Sequence, residues 1–286
     1  MGLGTGTVDG GMNGLILALF RRRPGGALNL LHLFFSLGAA ASPLIVGQLV
    51  AADIEWRAIV LGTAVVAGVI AVLLGLQGMP SGRHAPGDVA TGAAPDVRRP
   101  ILPLVLLALA IGFYVSSEIG VSSWLVRFLH EASNDVATAT LAGFWGALAL
   151  GRLLAARVAD RYRPVRFATA CAVGAAVTLL GAVLVPSLPL SIALFALSGL
   201  AFGPVYPMIM TIGGALYPRR LAAVTGGLAG SAVVGGIVYP PLMGFISDAA
   251  GIGVAMLGAG LLAVACVGAL AGANVAARRM LGSTTG

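Results

Sequence analysis

The sequence predicts an all-α polytopic membrane protein, and three observations carry that prediction. Hydrophobic residues fill 58% of the 286 positions and charged residues only 9%, whereas a soluble domain of this length needs far more polar surface. The mean hydropathy is +0.99. The apolar residues fall into nine runs of span length, and the charges gather in the short breaks between them.

The first run, residues 2–20, is glycine-rich, carries Asp9 near its middle and is closed by Arg21, Arg22 and Arg23. It has no basic n-region and no cleavage site, so it reads as a membrane segment and not as a secretory signal. The second run, 27–51, ends in a polar turn holding Asp53, Glu55 and Arg57, and the third covers 58–78. Residues 79–100, rich in Pro, Gly, Asp and Arg, read as a flexible linker between two bundles. Six runs follow, at 101–126, 136–158, 165–185, 189–216, 222–246 and 252–277. Each is long enough to cross a hydrocarbon core of about 30 Å as a helix. The expected architecture is three spans in 1–78, a cytoplasmic linker at 79–100, and a six-helix bundle in 101–286.

All seventeen basic residues are arginine. If the turn at 157–166 is cytoplasmic, alternation across nine spans puts fifteen of them on that side and leaves only Arg57 and Arg127 outside. That asymmetry is the one the positive-inside rule requires. The N-terminus is then expected outside, the C-terminus in the cytoplasm, and the chain in the cytoplasmic (inner or plasma) membrane, in contact with the lipid bilayer. The formal net charge of +7 does not imply a nucleic-acid partner, because the arginines sit in short clusters between spans and not on one amphipathic face. Cys171 and Cys266 lie singly in apolar runs and read as inert core residues.

Polar residues inside spans are the functional candidates, because an acid held at mid-span costs about 2.5–3.5 kcal/mol and normally faces a cavity. Asp9 is one, and Asn13, four residues on, shares its helical face. Glu118 is the second, with Tyr114 one turn away and Ser117 and Ser122 nearby. Trp124, close to the end of the same run, reads as an interface anchor. Asn29 and His32 read as packing or capping groups. Pro204, Pro207, Pro240 and Pro241 are expected to interrupt their helices and permit bending, as gating helices need. Three scattered histidines offer no metal spacing, and no Ser/His/Asp set or HExxH pattern supports an enzyme. No nucleotide-binding loop is present, so no cofactor is expected and any transport would be ion-driven.

The stretch GRLLAARVADRYRPVRF, residues 151–167, resembles the helix–loop–helix signature of the major facilitator superfamily, with Gly151, Ala159, Asp160 and Arg161 matching and Arg163 standing where glycine is usual. GLGTGTVDGGMN (2–13) and the segment 21–47 look like the fourth and fifth helices of its fucose-permease-like branch. GFYVSSEIGVSSWL (112–125) looks like the seventh, SGLAFGPVYPMI (198–209) the tenth, and GGIVYPPLMGFISDAAG (235–251) the eleventh. The resemblance implies a major facilitator fold without its first three helices. It further implies proton coupling at Asp9, with Asn13 beside it, and a solute cavity reached by Tyr114 and Glu118. Gly151, Arg157, Asp160 and Arg161 become a conformational latch whose acid meets the start of the helix beginning near Ala27. The implied partners are a small solute and protons. No arginine is read as lying deep in a span, so a neutral sugar-like solute is expected over an anion. Two other readings stand beside it: efflux of lipophilic cations attracted by Asp9 or Glu118, and a truncated, non-transporting remnant or membrane interaction partner.

Overall fold

The computed structural model describes residues 2–76 and 100–282. Among them are ten α-helices: α1 Gly2–Leu19, α2 Pro24–Ala51, α3 Trp56–Leu76, α4 Leu102–Phe128, α5 Asn134–Val158, α6 Pro164–Leu184, α7 Leu188–Phe202, α8 Val205–Leu216, α9 Leu221–Ala250 and α10 Ile252–Gly282. The expected linker, apart from Pro100, lies outside the described residues.

Eight of the described segments are long and apolar enough to cross a membrane, with α7 and α8 counted together as Leu188–Leu216. The first helix differs from expectation. It is 18 residues long, but its apolar part is only Val8–Leu19, because Gly and Thr dilute its start.

The chain divides into two compact units, Met1–Gly38 with Pro100–Gly286, and Ala39–Arg99. In the first, α4 packs against α9 and α10, α5 and α6 pack against α7, and α1 lies along α9. Leu107, Ile111, Tyr114, Phe144, Phe195, Phe202 and Met208 are fully buried at its core. Large apolar side chains such as Val177, Phe245 and Leu261 remain exposed, as faces turned to hydrocarbon should be. In the second unit, α3 has no buried residue.

The prolines behave in two ways. The run 189–216 is two helices, since the chain turns at Gly203 and Pro204 before α8 begins at Val205. Pro240 and Pro241, in contrast, do not interrupt α9, which continues through both. A neighbouring helix steadies that point: Trp124 of α4 donates its Nε1–H to the Pro240 carbonyl at 3.0 Å. Trp124 therefore has a hydrogen-bonded place in the bundle besides the interface role its position implied.

Candidate functional site

Several polar groups of the larger unit form one network, and it begins at the half-buried Asp9. Asn13 lies one turn further along α1, so its amide Nδ2 donates both to the Asp9 carbonyl (2.8 Å) and to Asp9 Oδ1 (2.9 Å). The other carboxylate oxygen, Oδ2, accepts from the Tyr206 hydroxyl of α8 at 2.8 Å. Both oxygens therefore accept, the arrangement an ionised carboxylate favours. With its amide N–H spent on Asp9, Asn13 presents Oδ1 to His32 Nε2 of α2 at 2.9 Å, which assigns the proton to His32 Nε2. The His32 ring lies 4.6 Å from the Tyr206 ring, centroid to centroid, so α1, α2 and α8 close a loop of contacts.

Arg152 of α5 is the residue on which the sequence reading must be corrected. It is not part of the basic cluster at the end of its span but lies within the bundle, only 2% exposed. Its Nε donates to the Gly203 carbonyl at 3.1 Å, and one terminal nitrogen donates to the His32 carbonyl at 2.8 Å and to Ser36 Oγ. The local sequence explains the first bond. The helical partner of the Gly203 carbonyl would be the N–H of residue 207, and Pro207 has none. A side chain at Gly151 would collide with the Leu200 carbonyl of α7, so glycine there lets α5 and α7 touch backbone to backbone and brings Arg152 to Gly203. The Arg152 charge acts on buried Glu118 and on Tyr114 of α4. The Tyr114 hydroxyl interacts with Glu118 but forms no hydrogen bond of proper length and angle, and Asn29 Oδ1 and Ser117 Oγ are buried with no hydrogen-bond partner among the described residues. Asn29 uses its Nδ2 on the Gly25 carbonyl.

A second polar contact lies at the start of α2. The backbone N–H groups of Gly25 and Gly26 donate to Asp160 Oδ1 and Oδ2 at 2.9 and 2.8 Å. Asp160 thus caps, from another part of the chain, two of the N–H groups that a helix start leaves unpaired, and its charge opposes the positive end of the helix dipole. A Cβ at Gly26 would come within 2.7 Å of the Ala156 carbonyl and 2.8 Å of Asp160 Oδ2, so only glycine admits this approach. The arginines around it play no part in the contact: Arg157 bonds its own helix at the Leu153 carbonyl, and Arg161 is exposed. Replacing Asp160 with alanine should lower stability by about 1 kcal/mol, and Gly26→Ala by at least as much. Thermal melting of the purified protein checks both.

Residues 107–279 match the family model of the Major Facilitator Superfamily. The chain belongs to the Major Facilitator Superfamily. It is accordingly a multi-pass membrane protein of a transporter family and not an enzyme. Two Helicobacter pylori proteins named as candidate glucose/galactose transporters are similar to it, at 29% and 28% identity over 146 residues. The match covers 49% of this chain and 35% of each relative, so it spans about a third of their length. A crystal structure of the major facilitator transporter FucP in the outward conformation superposes with a TM-score of 0.71 at 21% identity, covering 95% of this chain and 72% of that one. A point variant of the E. coli fucose:proton symporter FucP gives 0.70 at 20%, covering 96% and 73%.

Within this major facilitator chain, Asp9 and Asn13 meet directly, while Tyr114 and Glu118 sit on α4 near Arg152. Pro204 and Pro207 shape the turn that offers Gly203 to Arg152, whereas Pro240 and Pro241 lie inside α9. Sequence reasoning passed over Tyr206 and Ser36, counted Arg152 with the cytoplasmic arginines, and read His32 and Asn29 as packing or capping groups. The signal for Arg152 was the Gly203–Pro207 spacing, which leaves a buried carbonyl in need of a donor.

Proposed function

We propose that this chain is the substrate- and proton-binding part of a secondary active transporter that moves a small neutral, sugar-like solute together with protons by alternating access. The observation that carries the reading is the Asp9 carboxylate, held by Asn13 of its own helix and Tyr206 of α8. An ionised Asp9 accepts on both oxygens. A protonated Asp9 carries an O–H that itself donates, so the charge-assisted hydrogen bond from Tyr206 is either reversed or given up. Proton arrival would thereby loosen α1 from α8, and that is the kind of coupling an alternating-access carrier requires. Ser117 Oγ and Asn29 Oδ1, which have no hydrogen-bond partner among the described residues, and the Tyr114 hydroxyl, which only approaches Glu118, are groups that solute hydroxyls could satisfy. The H. pylori relatives named for glucose and galactose, and FucP named for fucose and protons, support the solute class.

The buried cation at Arg152 offsets the acid at Glu118 and so argues against lipophilic cations as the solute. It also removes the argument against an anion that rested on no deep arginine, so the neutral class rests on the sugars named for the relatives. Asp160 against Gly25 and Gly26 serves in this reading as the conformational latch, fastening the start of α2 in one of the two access states. The reading keeps nine spans in a 3 + 6 arrangement, with divisions at 1–78, 79–100 and 101–286, the N-terminus outside and the C-terminus in the cytoplasm, within the cytoplasmic membrane.

Counterflow in proteoliposomes tests transport itself. Vesicles preloaded with unlabelled glucose, galactose or fucose should draw in a trace of the matching labelled sugar above protein-free vesicles. No counterflow with any neutral monosaccharide would contradict the assignment and leave the non-transporting reading.

A further inference from the structure

Away from the polar network, α6 and α10 leave between them an outward-facing groove of about 620 Å³, lined by Val165, Arg166, Thr169, Val173, Asn274 and Val275 with the small residues Ala170 and Ala271 as its floor. The two helices run antiparallel, since Leu180 of α6 packs against Gly260 of α10 while Arg166 and Asn274 both line the groove. Each step is fourteen residues, about 21 Å of helix. The polar end of the groove therefore lies well toward one face of the membrane, in the first turn of α6.

The groove divides chemically. Thr169 returns its hydroxyl to the Val165 carbonyl at 2.8 Å, so the wall beyond the first turn presents only apolar surface. At the mouth, Arg166 is exposed and Asn274 half-buried, and neither has a hydrogen bond or ion pair among the described residues. A cation and an amide left unpartnered on a hydrocarbon-facing surface are costly unless something at headgroup depth meets them. Arg278 and Arg279, also exposed, follow one turn later on α10 and extend the positive field at that end.

We propose that this groove seats one anionic phospholipid, with its phosphate on Arg166 and Asn274 and an acyl chain laid over Ala170, Val173 and Ala271. The positive mouth selects the headgroup charge, and the small floor residues make room for the chain. A zwitterionic lipid gains the same apolar contact but carries a cation that the arginines repel.

The test uses the full chain reconstituted in phosphatidylcholine vesicles containing phosphatidylglycerol, extracted in mild detergent and read by native mass spectrometry. The parent protein should retain one phosphatidylglycerol in preference to phosphatidylcholine. Arg166→Gln should lower the retained fraction about fivefold, the effect of removing one arginine from an anionic lipid surface. Ala271→Leu, at an exposed position, fills the groove with the charge intact and should lower retention likewise. Arg219→Gln, in the arginine turn between α8 and α9, should leave retention unchanged, and excess glycerol phosphate should not displace the lipid. Equal retention of both lipids, undiminished retention in either groove variant, loss in Arg219→Gln, or displacement by glycerol phosphate would each overturn the proposal.

Discussion

Replacing Asp9 with asparagine should abolish proton-driven accumulation while sparing counterflow. The substitution keeps the size and shape of the side chain and one acceptor oxygen, so Asn13 and Tyr206 can still gather around position 9. It removes the group that gains and loses a proton. A carrier that still alternates but cannot exchange a proton equilibrates its solute, so the ratio of internal to external sugar should fall to about 1 under an imposed pH gradient. Tyr206→Phe should give a partial version. It deletes one hydrogen bond to the carboxylate, worth about 1.5–3 kcal/mol in charged cases, but leaves the acid in place. Full accumulation by Asp9→Asn would remove Asp9 from the coupling role.

Replacing Arg152 with alanine should have the largest effect on stability. Arg152 donates to the Gly203 and His32 carbonyls; its loss strands the Gly203 carbonyl inside the bundle at about 1–3 kcal/mol, whereas the His32 carbonyl keeps the Ser36 hydroxyl. It also leaves buried Glu118 without the nearby cation. A total loss of roughly 3 kcal/mol follows, although membrane bundles recover part of such losses by finding new partners. Arg157→Ala, an exposed arginine one and a half turns along the same helix, should stay within about 0.5 kcal/mol of the parent. The charge relation is tested by a double-mutant cycle: Glu118→Gln should recover part of the deficit of Arg152→Ala and none of that of Arg157→Ala. Equal losses in the two arginine variants would show that burial of Arg152 carries no energetic weight.

Eight of the nine expected spans were legible because lipid imposes a simple rule: long apolar runs, with charges in the breaks. Asp9 and Asn13 were legible as neighbours because a four-residue step places them on one helical face. Asp160 against α2 was legible through the resemblance of residues 151–167, and the glycines at 25 and 26 supply the physical reason. Arg152 was not, because five residues from Arg157 it counts in sequence as one more member of a basic cluster. Only its contact with Gly203, far along the chain, shows why a cation is needed at that depth. Tyr206 was hidden for the same reason, since nothing local to its helix points to an acid on α1. Pro240 and Pro241 misled in the opposite direction, because packing by α4 holds α9 together where the local sequence argues for a break.

The most direct measurement of the central claim is proton movement itself. The full chain would be reconstituted in lightly buffered vesicles with a pH dye outside, and glucose, galactose or fucose added to the medium. Sugar should drive a rise in external pH as protons enter with it, and Asp9→Asn should give none. Sugar uptake without any pH change in the parent protein, or an unchanged pH signal in Asp9→Asn, would contradict proton coupling through the Asp9 network.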